Sequence, residues 1–209
     1  MFPVEMADRL LARELESHVN STIIGREIVV LEQTGSTNDA ILQVATPDSK
    51  EGLVLLAEHQ TAGRGQRGNR WESAVGKGLW FSILLRPKIQ ISDSGRLTKW
   101  ALASIVDVIR TELALEPAIK FPNDVQIRGR KVAGVLVEMR AQKNAPHLAI
   151  VGIGINVNHC IDDFPSELHR KATSLALTVG HLVEREKFCV TLLEKLDLSY
   201  RENFARTPL

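Results

Sequence analysis

The chain reads as an α+β protein with a mixed, largely antiparallel sheet flanked by helices. Three observations predict this. Apolar runs of strand length alternate with helix-period segments through the first half. The stretch AIKFPNDVQIRGRKVAGVLVEMR carries turn letters at Pro122-Asn123-Asp124 and at Gly129, so its strands return as hairpins. One long helix-period segment precedes these hairpins and another follows them, which supplies helices to cover a sheet.

In chain order, residues 5–19 have helical spacing, with Met6, Leu10, Leu11 and Leu15 on one face. REIVVLEQT (26–34) reads as a strand. STNDAILQVA (36–45) reads as a helix in which Ser36 and Asp39 have capping-box spacing, with Asp in place of the usual Glu. EGLVLLAEHQ (51–60) is a strand apolar enough to be covered on both faces. GKGLWFSILLRP (76–87) is another, ended by Pro87. Residues 93–114 hold the longest helical pattern. VAGVLVEM continues the hairpins as a strand, AQKNAP is a polar loop, HLAIVGIGINVN is a further strand, and 181–204 is helical again. Trp80 and Trp100 fall in strand and helix patterns and are expected in the core. No repeat or low-complexity linker breaks the chain, so residues 1–209 are expected to form one domain.

Composition narrows the function classes. Of 209 residues, 44% are hydrophobic and 24% charged, ordinary for a globular protein with a sizeable core. The net charge of +1 gives no global footprint for nucleic acid or a membrane surface, so any anion site must be a local cluster. Cys160 and Cys189 form no disulfide framework and no C-x-x-C. The N-terminus lacks the apolar stretch of a signal peptide, and no run is long enough to span a membrane. The cytoplasm is the expected compartment, and no DNA partner is expected.

GRGQRGNRW (63–71) matches G-x-G-x-x-G at Gly63, Gly65 and Gly68. A dinucleotide loop must follow a strand and open a helix, and here a strand-like run with Gly76 and Gly78 follows. The acid due about 20 residues later is missing: Leu84, Leu85 and Arg86 stand there. No G-K-[ST] follows either, so this is not a Walker A loop. The glycines still permit close backbone approach, and Arg64, Arg67 and Arg70 place three permanent cations beside it. The bland reading is a solvated basic turn. An anion held on the loop explains its place after a buried strand better.

Other stretches add to this. In KFPND (120–124), Pro122 biases Phe121 to an extended backbone; Phe121 is expected to face the core and Lys120 a cleft. RGRKVAGVLVE (128–138) puts Lys131 at a strand start and Gly134 inside the strand. GIGIN (152–156) puts Gly152, Gly154 and Asn156 on one face, so two glycine-bearing strands could floor a pocket for a flat ligand. Tight sheet packing is the competing reading. STND (36–39) is a helix cap by itself, and a set of hydrogen-bonding groups beside a pocket. The six histidines show no H-x-x-x-H, and His159-Cys160 with Asp162 and Asp163 lacks metal-ligand spacing. No G-x-S-x-G elbow or catalytic cysteine is evident, so an enzyme here would work by electrostatics on phosphate.

Taken together, STN, EHQTAGRGQRGNRW, KFPND, RKVAGVLVE and GIGINVN, in that order, resemble the biotin protein ligases, also called biotin–[acetyl-CoA-carboxylase] ligases. The resemblance spans roughly residues 27–158 and the helical tail. It implies a catalytic domain similar in fold to class II aminoacyl-tRNA synthetases. It implies that biotin and ATP give biotinyl-5′-AMP, which passes biotin to a lysine of a biotin carboxyl carrier protein. Mg²⁺ is expected with ATP, its ligands unknown. The resemblance places Ser36, Thr37, Asn38 and Gln60 around the ureido ring of biotin, with Arg64, Gly65 and Gln66 beside the vitamin. Lys120 would bind the biotin carboxylate and the α-phosphate, so Lys120 and Arg64 are the expected catalytic residues. Arg64, Arg67, Trp71, Asn123, Lys131, Gly134 and Asn156 are expected to meet ATP or the adenylate, with 63–71 acting as a lid that orders over it. Trp71 as a core anchor is the alternative.

Departures from the family pattern carry expectations too. Gln66 stands where many relatives have another arginine, which implies looser retention of the adenylate. About 26 residues precede the first strand, too few for a winged-helix DNA-binding domain, and the chain stops where many relatives continue into an SH3-like domain. Edge strands are compatible with a homodimer. The nearest rivals are a lipoate or octanoate ligase or transferase of the same superfamily, whose R-R-x-x-G-G-G-x-V stretch is missing here, and a biotin-binding sensor without catalysis.

Overall fold

A computed structural model describes residues 8–45, 49–142 and 146–205. Seven strands form one sheet: β1 (Ile28–Thr34), β2 (Val54–Gln60), β3 (Gly78–Leu85), β4 (Pro117–Lys120), β5 (Asp124–Ile127), β6 (Arg130–Arg140) and β7 (Leu148–Asn156). Their order is β1-β2-β3-β7-β6-β5-β4, with β1 and β2 parallel and every other pair antiparallel. The mixed, largely antiparallel sheet read from the sequence is therefore the sheet observed. Five helices accompany it: α1 (Ala12–His18), α2 (Thr37–Val44), α3 (Gly95–Leu113), α4 (Leu175–Val179) and α5 (Arg185–Tyr200).

The period-2 alternation of strands separates two faces. Leu79, Phe81, Ile83 and Leu85 of β3 and Ala149, Val151, Ile153 and Ile155 of β7 enter the main core, which α1, α3 and α5 complete. Trp100 of α3 lies in this core, 6% exposed, and its Nε1 donates to Ser199 Oγ at 2.8 Å. Among the described residues the opposite face carries the short α2, which buries Ala40 and Ile41 against Leu55, Leu84 and Ile150. Beyond α2 that face is uncovered by helix, which leaves room for a site. Strand β2 is buried on both faces as its composition predicts.

Four expectations are corrected. The first helix is shorter than residues 5–19. The Leu10 amide donates to Glu58 Oε1 at 2.8 Å, and Asp8 accepts from Arg185, so residues 9–11 are held out of helical geometry. Met6 lies outside the described residues. Ser36 sits at the N-cap of α2, but its side chain makes no capping bond. Asp39 turns away from the cap and pairs with Arg64. Phe121 is 65% exposed, not core-facing. It belongs to the turn between β4 and β5, where strand alternation no longer governs direction. Finally, α4 precedes the tail helix. The Ser174 hydroxyl caps it by accepting from the Leu177 amide, and Gly180, at φ 88°, ends it.

Candidate functional site

Gly134 of β6 and Gly154 of β7 are opposed partners on the open face. With no side chain at either, the indole of Trp71 lies directly on the sheet. A Cβ on Gly154 would stand 2.7 Å from that ring, and one on Gly134 2.8 Å. Two residues along β7, Gly152 makes the same space for Asn38, whose Oδ1 would be 2.2 Å from a Cβ there. The glycine floor expected from the sequence exists. The flat group resting on it is the protein's own tryptophan.

A polar chain runs beside the floor. Gln60 Oε1 accepts from the Thr37 amide at 2.8 Å, and its Nε2 donates to Ser73 Oγ at 3.3 Å. Ser82 Oγ lies 2.8 Å from Thr37 Oγ1 and 2.6 Å from Asn38 Oδ1. An amide oxygen only accepts, so the Ser82 proton points to Asn38. Asn38 Nδ2 in turn donates to Glu138 Oε2 at 2.7 Å. The Ser36 hydroxyl, 5% exposed, has no partner among the described residues and lines the same cavity.

The arginine loop closes over this chain. Gly65 N donates to Asn69 O at 2.7 Å and Trp71 N to Gly63 O at 2.9 Å, so 63–71 is a small hairpin. Arg67, at φ 57°, and Gly68, at φ 78°, make its tip in the left-handed region. Arg64 forks onto Glu138, Nη1 to Oε1 at 3.0 Å and Nη2 to Oε2 at 2.8 Å, and also reaches Asp39 at 2.9 Å. Burial raises the Glu138 carboxyl, but the Asn38 amide and the Arg64 guanidinium outweigh it and hold the group below the usual carboxylate range. The loop expected to act as a lid is held in this hairpin by two acids that clasp its first arginine.

Two cavities meet at Trp71. The first is lined by the polar chain and the glycines and leaves only about 40 Å³. Sites for small molecules run to roughly 300–1,000 Å³, so with Trp71 resting on the glycine floor the slot is smaller than such a site. The second holds about 380 Å³, shares Trp71 with the first, and is lined by Lys120, Lys131 and Asn156. Lys131 belongs to both. Its Nζ pairs with Asp124 at 2.7 Å and lies 4.9 Å from the Trp71 ring centre, within cation–π range. Asn156 Nδ2 donates to Thr173 O at 3.0 Å.

The structure thus gathers Ser36, Thr37, Asn38, Gln60, Arg64, Gly65, Trp71, Lys131 and Gly134 at the first cavity. Lys120 stands on the wall of the second instead. Asn123, read as a phosphate-side residue, lines the first, and its amide donates to Val135 O. Gln66 and Arg67 line neither cavity, because they form the hairpin tip. Two residues were missed by sequence reasoning. Ser82 had a visible signal, a lone hydroxyl inside the buried run GLWFSILL. Glu138 had none, since its partners come from α2 and the loop.

Such a face joins a narrow polar slot to a wider cationic chamber through one shared tryptophan and one shared lysine. Comparison with known proteins makes this particular. A family model for the Biotin/lipoate A/B protein ligase family matches residues 30–156. The chain is 33% identical over 199 residues to the bifunctional ligase/repressor BirA of Bacillus subtilis, covering 95% of this chain and 61% of that protein. It is 33% identical over 200 residues to the biotin–[acetyl-CoA-carboxylase] ligase of Mycobacterium tuberculosis, covering 91% of this chain and 72% of that one. The biotin protein ligase of Aquifex aeolicus, solved with biotin and ATP, superposes with a TM-score of 0.72 at 29% identity, over 85% of this chain and 73% of that chain. The chain belongs to the biotin/lipoate A/B protein ligase family, and its fold is that of the biotin protein ligase structures. It spans 61% of the length of the two Bacillus BirA proteins it matches.

Proposed function

We propose that this chain is the catalytic unit of an ATP-dependent biotin–protein ligase. The observation that carries the reading is the meeting of the polar slot and the cationic chamber at Trp71 and Lys131. A ureido ring offers two N–H donors and a carbonyl, which suits Ser36, Thr37, Asn38 and Gln60. The dithiolane or alkyl chain of lipoate or octanoate offers no matching donors and acceptors, and would leave the buried Ser36 hydroxyl without a partner. The biotin carboxylate would then point toward the chamber, where Lys120 and Lys131 favour phosphate.

In the first step a carboxylate oxygen attacks the α-phosphorus of ATP. The bond from that phosphorus to the bridging oxygen breaks, and pyrophosphate leaves with the electron pair. Lys120 lowers the charge that builds on the α-phosphate. Lys131 holds the other side, steadied by Asp124 and the Trp71 face. In the second step the uncharged amine of an acceptor lysine attacks the acyl carbon, AMP leaves, and the amine gives up a proton. The 63–71 hairpin, once reclosed, keeps water from the mixed anhydride, with Trp71 packed against the adenylate. Among the described residues no three His, Cys, Asp or Glu side chains gather around a metal position. Mg²⁺ would enter on the ATP phosphates, as part of the substrate. The relatives' names support an acceptor within an acetyl-CoA carboxylase, and its biotin carboxyl carrier domain is the acceptor in this reading. The cytoplasm follows from that partner, and among the described residues no helix is long and apolar enough to cross a membrane.

Incubating the protein with MgATP and either biotin or lipoate, without acceptor, and resolving the products by mass spectrometry tests the reading. Biotinyl-AMP with pyrophosphate is expected. Lipoyl-AMP alone would reassign the substrate, and no adenylate from either would refute the ligase.

A further inference from the structure

The polar chain beside the glycine floor contains two residues that do not line the slot, Ser82 and Glu138. Gly152 of β7 pairs with Ser82 of β3 on one side and with Leu136 of β6 on the other. Because Gly152 has no Cβ, the Asn38 amide lies on the sheet above it. There it bridges β3 to β6, with Oδ1 2.6 Å from Ser82 Oγ and Nδ2 2.7 Å from Glu138 Oε2. Asn38 is 3% exposed and Ser82 fully buried, so each depends on these partners.

The partners dictate where each proton lies. A carboxylate accepts at both oxygens, so Glu138 takes bonds from Arg64 and from Asn38 together. That turns the Asn38 amide, nitrogen toward β6 and oxygen toward Ser82. Ser82 commits its one proton to that oxygen. Toward Thr37 Oγ1, at 2.8 Å, it can then only accept. Gln60 Oε1, the other acceptor beside the Thr37 hydroxyl, lies 3.2 Å away. With either acceptor the Thr37 proton stays inside the protein, and lone pairs are left for the slot that Thr37 lines. Gln60 is oriented as well. Its Oε1 holds the Thr37 amide, so its Nε2 is the end that donates. The slot therefore offers an acceptor beside a donor.

We infer that Glu138 is a positioning residue for substrate selection: through Asn38 and Ser82 it fixes Thr37 as a hydrogen-bond acceptor. The slot then demands a ring N–H at that point, which a cyclic urea has and a cyclic carbamate replaces with oxygen. This deepens the biotin reading and rests on it for the identity of the ligand. A glutamine at 138 would have one accepting and one donating end. Arg64, which only donates, would take the oxygen and leave the amide group to Asn38. Asn38 would turn over, Ser82 would give its proton to Thr37, and Thr37 would be free to donate into the slot.

Neutron diffraction from the ligand-free chain in heavy water reads the order directly. The deuteron between Thr37 and Ser82 should sit on Thr37, and that between Ser82 and Asn38 on Ser82. A Ser82 deuteron pointing at Thr37 overturns the proposal. Binding tests the consequence. Biotin and its two oxazolidinone analogues, each with one ring N–H replaced by oxygen, are titrated calorimetrically into the full chain and into Ser82→Ala and Glu138→Gln, whose folding is checked by circular dichroism. The wild type should bind one analogue at least about tenfold more weakly than biotin. In both variants that ratio should shrink to within about threefold, because Thr37 can then donate to the ring oxygen. In Ser82→Ala the KM for biotin should rise while the KM for MgATP stays near the wild-type value. A loss of affinity shared equally by biotin and the analogue, with the ratio unchanged, is what a merely structural role would give and overturns the proposal. A wild type that binds no biotin sinks the biotin reading, while the neutron map still decides the proton order.

Discussion

At the scale of single residues, the site depends on side chains that are missing as much as on those present. Gly152 and Gly154 read as a repeated pattern on one strand face, and they sit there because Asn38 and Trp71 occupy the space that Cβ atoms would take. That much was legible, since strand alternation fixes which positions share a face. Which neighbour each glycine admits was not, because Asn38 comes from α2 and Trp71 from the hairpin. His159 is a second case. It is 2% exposed, stacks on Phe164 with ring centres 5.0 Å apart, and meets the edge of Trp80 at 5.6 Å, with neither ring nitrogen bonded. Burial without a partner pushes its pKa down to about 4. The unfolded chain then takes up this proton near pH 6.5 while the folded chain refuses it until about pH 4. Stability is complete above pH 6.5 and falls as pH drops through that window, by at most about 1.4 kcal/mol per pH unit for one proton. Denaturant melts at pH 7.5, 6 and 5 should show this loss, and it should be smaller in His159→Phe. An identical slope in the variant would remove His159 as the cause.

At the scale of elements, the hairpin 63–71 shows where local and distant information part. Its glycines and its failure to open a helix were plain in the sequence, and they excluded a dinucleotide loop. Its closed state was not, because the clasp joins Arg64 to Asp39 and Glu138, 25 and 74 residues away. Similarly, Arg185 at the start of α5 is 1% exposed and donates to Glu58, Asp8 and the Gly78 carbonyl, an arrangement no local pattern announces. Asp197 further along α5 accepts from the Ile23 and Ile24 amides. The hairpin makes a quantitative prediction. Glu138→Gln removes the charge that holds Arg64. A partly exposed pair of this kind contributes about 1 kcal/mol, after discounting for solvent. Amide exchange at Gly65 and Trp71, whose N–H groups close the hairpin, should quicken about fivefold without ligand. Unchanged exchange would mean that the backbone bonds alone hold the loop.

At the scale of the whole molecule, fold class followed from strand and helix periods and hairpin turn letters. Those signals are local and survive without tertiary context. Element ends moved where tertiary bonds intervened, as before α1, where Glu58 and Arg185 hold the chain. The residues of the polar slot were named in advance because a resemblance in motif order identified them. The division into two cavities, with Lys120 on the wider one and Asn123 on the narrower, needed the sheet order to bring β4 and β5 beside β6 and β7. The account as a whole stands on transfer of biotin to protein. Labelled biotin, MgATP and a purified biotin carboxyl carrier domain are mixed with the chain or with Lys120→Ala, and label on the carrier lysine is followed by mass spectrometry. The account predicts ATP-dependent biotinyl-lysine with the wild type and a rate about 10²–10³-fold lower with the variant, as for loss of one transition-state donor. No label on the carrier, or equal rates from the two proteins, would contradict it.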